Sequence, residues 1–356
     1  MYEIDEDFIH YRILLGNLYN TAVMYKLPTF HTLPLTGTTE PFKTGEIVKQ
    51  GTVIGPDMCC AGAEKVNFVG EQSIMRVGNV DIGILGYIDD ILGIGDSNQA
   101  RKTIRCLREL EIRKKYTFGM EKTKWMVIPA GKEEIEEILE KIGQGTVERT
   151  DLYKYLGLLI NEGGNLLSHI ENKRKECQSE LVAIMTIASQ YNLGPMHLTV
   201  TLFLFEICII TSILYHLEAW AGMTKEELEK LESLQKDLLC QICQLPKSTS
   251  YLGLLHETGM WSMEMRLSYR RLLLYHNIMK SDDKRLVKKI VKQQREEEDF
   301  FYSEVKNTAD SLEIDLDRMV ESDKETVKVL IRRKIKKEME KKIEGAITTT
   351  NKLRFI

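Results

Sequence analysis

Proline is scarce, with 7 in 356 residues. Together with 43% hydrophobic and 29% charged residues, that scarcity excludes a disordered or collagen-like chain. An excess of positive charge is also missing. Lys and Arg number 49 against 53 Asp and Glu, a net charge of -4, so nucleic acid could be bound only through local patches and not through bulk charge. The 7 cysteines are odd in number and lack framework spacing, and no secretory signal pattern precedes them. They point to a reducing, intracellular compartment, nucleus or cytoplasm. No apolar run is both long and clean. Residues 198–219 have the length of a bilayer span, but Glu206, His216 and Glu218 interrupt them and no basic flank sets a side. The expectation is a buried helix and no membrane partner. There is no internal repeat, and the length allows two or three domains.

What is present centres on residues 80–95. Apolar residues alternate at Val80, Ile82 and Ile84, an acidic pair follows at Asp89 and Asp90, and a second apolar run occupies Ile91, Leu92 and Ile94. Two strands meeting in a tight turn would present both carboxylates at the tip. Crowding two like charges is costly unless a cation lies between them, and a divalent ion is the simplest remedy. The competing reading is a solvated turn, where Asp is common.

Tyr87-Ile88-Asp89-Asp90 resembles the Y-x-D-D motif, motif C, of reverse transcriptases. Other segments resemble the same family in the same order. Gly45-Glu46-Ile47-Val48-Lys49-Gln50-Gly51 is similar to motif B, Phe118 to Ile128 with Lys122 and Lys124 to motif D, and Tyr153-Lys154-Tyr155-Leu156-Gly157 to motif E. Ser168-His169-Ile170, Glu218-Ala219-Trp220 and the run from Pro246 to Ser250 make the likeness strongest to non-LTR, LINE-type retrotransposon enzymes, in their carboxy-terminal part.

The resemblance implies an α+β fold. A partial right-hand polymerase palm, an antiparallel sheet with helices, would occupy 1–160, a helical thumb 161–290 and a charged helical tail 291–356. It implies an RNA-directed DNA polymerase, a nucleotidyltransferase using two Mg²⁺ or Mn²⁺ ions. RNA template, DNA primer and deoxynucleoside triphosphates would be its partners, and it leaves the oligomeric state open. By resemblance Asp89 and Asp90 are the metal ligands, and Gln50, Gly51 and Tyr87 contact nucleotide or template. Lys122 or Lys124 neutralises the departing pyrophosphate, and Tyr153, Lys154, Tyr155, Leu156 and Gly157 grip the primer. One departure stands out. The family's first aspartate, in motif A, follows an apolar strand well upstream of motif B, whereas Asp5 and Asp7 precede Gln50 by only 45 and 43 residues and lead into a helical pattern. The expectation is a truncated copy, inactive alone. The alternative is a nucleic-acid-binding or protein-interaction module made from such an element.

Helical spacing predicts helices over 7–19, 57–63, 98–116 and 169–189, with a short hairpin over 29–43 and a charged insertion over 132–149. Thr224 followed by Glu227 reads as a capping box. Residues 331–337 are the basic peak of the tail, read as a solvated helical face or a nucleic-acid or import patch. Cys240-Gln241-Ile242-Cys243 has zinc-like spacing but lies in an apolar helical run, which favours core cysteines. His10, His31, His197 and His276 have no evident partner.

Overall fold

The computed structural model describes most of residues 75–349, with gaps within 78–144 and at 191–196. The expected helices at 7–19 and 57–63, the hairpin at 29–43, Gln50, Gly51 and Asp89 lie outside the described residues. What is described is α+β: short strands, with helical residues at Ala100, Lys102, Ile104, Arg105, Arg108 and Ile112 within the expected 98–116 helix, and then the main helices.

Ten strands form five two-stranded ladders among the described residues. β1 (Met75–Val77) pairs antiparallel with β2 (Val80–Ile82), and β3 (Leu85–Tyr87) with β4 (Asp90–Leu92). β5 (Lys124–Trp125) runs parallel to β8 (Glu148–Arg149), β6 (Lys141–Ile142) pairs with β7 (Gly145–Thr146), and β9 (Leu152–Tyr155) with β10 (Leu158–Asn161). Four of the five ladders are antiparallel, and the described strands do not join into a larger sheet. At two to four residues each they make a few ladder bonds apiece. Within the stretch 132–149 Val147 is buried, and the two residues after it pair with β5. β3 and β4 belong to one compact unit, while β1, β2 and everything from residue 93 onward belong to another.

From residue 167 the chain is helical. α1 spans Leu167–Gln190, close to the periodicity that predicts it. The apolar stretch 198–219 is not one helix. α2 (His197–Leu204) passes into a π-helical turn at Phe205–Ile210, then α3 (Thr211–Ile213) and a 3₁₀ turn at Leu217–Ala219. Thr211 Oγ1 donates back to the carbonyls of Ile207 (2.5 Å) and Cys208 (3.0 Å), and His216 takes φ 65°, both of which break regular helix. Phe205, Ile209, Ile213 and Leu217 are buried against the core, and Glu206, one of the interrupting acids, forms a two-pronged ion pair with Arg266. No helix among the described residues is long and apolar enough to cross a membrane.

α4 (Lys225–Ile242) opens with the predicted capping box, Thr224 accepting from the Glu227 amide while the Glu227 carboxylate accepts from the Thr224 amide. α5 (Tyr251–Thr258) is capped by Ser250, and α6 (Met263–Met279) by Ser262. α7 (Leu286–Glu297), α8 (Phe300–Ser311), α9 (Leu316–Glu321) and α10 (Lys324–Thr349) complete the described residues. Leu166, Leu181, Phe205, Leu231 and Leu238 belong to one buried cluster. A second joins Leu272 and Tyr275 of α6 to Val305 of α8 and to Val327, Ile331 and Ile335 of α10. Each fully buried aliphatic side chain stabilises by about 1.5–3 kcal/mol. Because α6 supplies residues to both clusters, the charged tail shares its core with the preceding helices; its cations face outward, and a period-four apolar stripe faces in. Cys240 is buried, its thiol 3.6 Å from the Pro246 carbonyl and pushed up in pKa by burial, as a core cysteine would be.

Candidate nucleic-acid interface

Of the acidic pair, Asp90 is described. In the antiparallel β3–β4 ladder Leu85 pairs with Leu92, Gly86 with Ile91 and Tyr87 with Asp90. Asp90 is exposed. A carboxylate at such a position is a hard oxygen donor open to solvent, the donor type that Mg²⁺ and Mn²⁺ take. Among the described residues no three His, Cys, Asp or Glu side chains converge.

Around motif D the two lysines differ. Lys124 Nζ lies 2.6 Å from Glu148 Oε2, and that lysine holds the Glu148 carboxyl below its usual range. Lys122 is exposed in the turn before β5, and its carbonyl accepts the Tyr153 hydroxyl at 2.8 Å. Tyr153 therefore ties β9 to the Lys122 turn. Arg149 sits over the Trp125 ring, 5.6 Å from its centroid, and reaches Glu162 at 2.8 Å. Among the described residues the Lys122 ammonium has no carboxylate partner, while the Lys124 charge is committed to the β5–β8 pair.

The motif E segment is a hairpin whose turn is Leu156-Gly157, since Tyr155 pairs with Leu158. Both turn residues have positive φ, 46° and 89°. Two consecutive left-handed residues make the turn that matches the strand twist. Leucine there costs about 1–2 kcal/mol, so the surroundings must hold it. Two contacts do so. A Cβ on Gly157 would stand 3.0 Å from Cε1 of Tyr215, so the tyrosine ring lies directly on the turn. Behind it, the Leu159 amide donates to His169 Nδ1 at 3.2 Å.

His169 is 1% exposed. Accepting at Nδ1 places its proton on Nε2, which is buried and has no hydrogen-bond partner among the described residues. Burial, reinforced by Lys173 and opposed by Glu176, lowers its pKa from 6.5 to about 4, so the ring is neutral at pH 7. The polar turn leading to it is a capping structure: Asn161 Oδ1 accepts from the Asn165 amide at 3.2 Å, and its Nδ2 donates to Asn165 Oδ1 (3.0 Å) and Ser168 Oγ (3.3 Å). Glu227 then accepts from the Leu166 amide, fixing the start of α1 to α4. Strand alternation leaves Lys154 exposed, its ammonium 4.0 Å from Glu176, while Tyr153 and Tyr155 are half-buried.

The structure thus brings Lys122, Lys124, Tyr153 and the β9–β10 hairpin together. Sequence reasoning passed over His169, Tyr215 and Glu227 as positioning groups. His169 was visible only as part of Ser168-His169-Ile170, and nothing local marks Tyr215 as the neighbour of a glycine 58 residues earlier. Comparison with known proteins adds no relative: no family model matches this chain, and neither does any curated protein or solved structure.

Proposed function

We propose that this chain derives from the RNA-directed DNA polymerase of a LINE-type non-LTR retrotransposon. In this reading it carries the palm from motif B to motif E followed by the thumb helices, and it is inactive alone. The observation that carries the proposal is the β9–β10 hairpin, whose left-handed Leu156-Gly157 turn is clamped by Tyr215 and His169 while Lys154 stays in solvent. A strained turn held rigidly, with an exposed cation beside it, suits contact with a phosphate backbone.

Asp89 and Asp90 would hold the two Mg²⁺ or Mn²⁺ ions, which when bound neutralise charge on the phosphates during nucleotidyl transfer. By the resemblance Tyr87, Gln50 and Gly51 would contact nucleotide or template, a glycine being the residue that lets backbone pass close to a base pair. Lys122, exposed and without a carboxylate partner among the described residues, is the freer of the two lysines to neutralise a pyrophosphate; Lys124 is spent on Glu148. Tyr153, Lys154 and Tyr155 support the primer. Residues 1–356 hold no aspartate on an apolar strand at motif A spacing, so by themselves they are expected to bind primer–template without extending it. That same gap, with Lys124 engaged, favours as a second reading a binding module without catalysis.

Primer extension on an RNA template with a DNA primer and either metal tests the proposal. The expected result is primer–template binding, weakened by chelator and by Asp89→Ala, with no extension. Robust extension that disappears in Asp89→Asn would refute the inactive half, and binding indifferent to both chelator and Asp89→Ala would favour the module.

A further inference from the structure

A second charged surface lies on α10, remote in sequence from every motif above. From Thr326 to Lys337 the chain has six cations, Lys328, Arg332, Arg333, Lys334, Lys336 and Lys337, and no acid, in a protein of net charge -4. The fold prevents their dispersal. Val327, Ile331 and Ile335 are locked into the core, so the cations must share the outer face of one helix. Arg332, Arg333, Lys336 and Lys337 are exposed. Lys328 is paired with Glu325 at 2.6 Å and Lys334 with Glu313 at 3.1 Å, while Lys336 reaches Glu340 only at 4.0 Å. Among the described residues Arg332, Arg333 and Lys337 have no carboxylate within ion-pair distance; Arg332 instead lies 5.5 Å from the centroid of the Tyr269 ring on α6.

Arg332 with Lys336 and Arg333 with Lys337 are like-charge pairs four residues apart, an arrangement that destabilises a helix. An extended anion with regularly spaced charges would relieve both pairs at once. The guanidinium over Tyr269 adds a planar fork suited to phosphate beside an aromatic face.

We propose that the outer face of α10 binds the phosphate backbone of nucleic acid, independently of base sequence and apart from the motif E hairpin. The test is the salt dependence of binding of a labelled double-stranded DNA to the full chain. Each lost phosphate contact lowers the slope of log K against log salt by about 0.9. The variant in which Arg332, Arg333, Lys336 and Lys337 are all changed to Gln should therefore lower it by about 2–4. Lys225→Gln with Lys230→Gln, two exposed lysines of α4 already paired with acids, should leave it unchanged. An unchanged slope in the four-site variant overturns the proposal. So does tighter binding of polyglutamate than of DNA through the same four residues, which would indicate an acidic protein partner. Should the four-site variant lose its helical circular dichroism, Arg333→Gln and Lys337→Gln alone should each lower the slope by about 0.9, and no change in either overturns it. A lowered slope together with metal-indifferent binding would sink the polymerase reading and leave this one standing.

Discussion

Lowering the pH should loosen the β9–β10 hairpin from α1 through a single imidazole. His169 is buried and accepts the Leu159 amide in its neutral form, with a pKa near 4 against 6.5 for the free side chain. The native state resists protonation and the unfolded chain does not. Between those two values the unfolded state binds more protons, so stability is fully present above pH 6.5 and is lost as the pH falls toward 4. Each unit of separation is worth about 1.4 kcal/mol, so the loss approaches about 3 kcal/mol. Carboxylates such as Glu148 and Glu176, whose pKa values lie below their usual range, add their own loss below about pH 4.5. The quantity to read is therefore the difference between wild type and His169→Gln, in urea unfolding from pH 7.5 to 4.5. The wild type should lose stability more steeply by about 1 kcal/mol per unit below pH 6.5, and the His169 ring resonance should stay in its neutral position down to pH 5. Parallel curves for the two proteins, or a His169 resonance that titrates near 6.5, would refute the reasoning.

Gly157→Ala should cost about 1–3 kcal/mol, because it combines φ 89° with a methyl 3.0 Å from the Tyr215 ring; thermal unfolding measures it, and a neutral result would remove the close approach. Glu227→Ala strips acceptors from the Leu166 and Thr224 amides and should cost about 2–4 kcal/mol in urea unfolding, whereas Glu227→Gln, which keeps one acceptor, should cost less than half of that. Tyr153→Phe removes the hydroxyl held by the Lys122 carbonyl, and should weaken primer–template binding by a few-fold while costing about 0.5–1.5 kcal/mol of stability; an equal effect on an unprimed strand would count against a primer role.

Much of the helical half was legible because its signals are local. The Thr224 capping box and the periodicity of α1 each lie within one or two turns of the residues they govern. The break in 198–219 was not legible: hydropathy averages over a window and does not register a Thr211 hydroxyl competing for the carbonyl four residues back. The parallel β5–β8 pair escaped because two-residue strands have no period to read. In the tail, charge masked the spacing of Val327, Ile331 and Ile335, which is as regular as any in α1. His276 found its partner in the Ser322 carbonyl at 3.0 Å, a backbone group 46 residues away for which no pattern exists. The site divides the same way: Tyr153 to Gly157 stood out only by their likeness to motif E, and the groups that hold the hairpin, His169 and Tyr215, come from elements that only the tertiary fold brings there.

The most direct test of the central claim is photo-crosslinking of the full chain to an RNA-templated DNA primer carrying 5-iododeoxyuridine near its 3′ terminus. The account predicts an adduct between residues 153 and 157 that moves off the hairpin when the substituted base is shifted well upstream. A crosslink pattern that ignores the position of the primer terminus, or that never includes the hairpin although the duplex is bound, would contradict it.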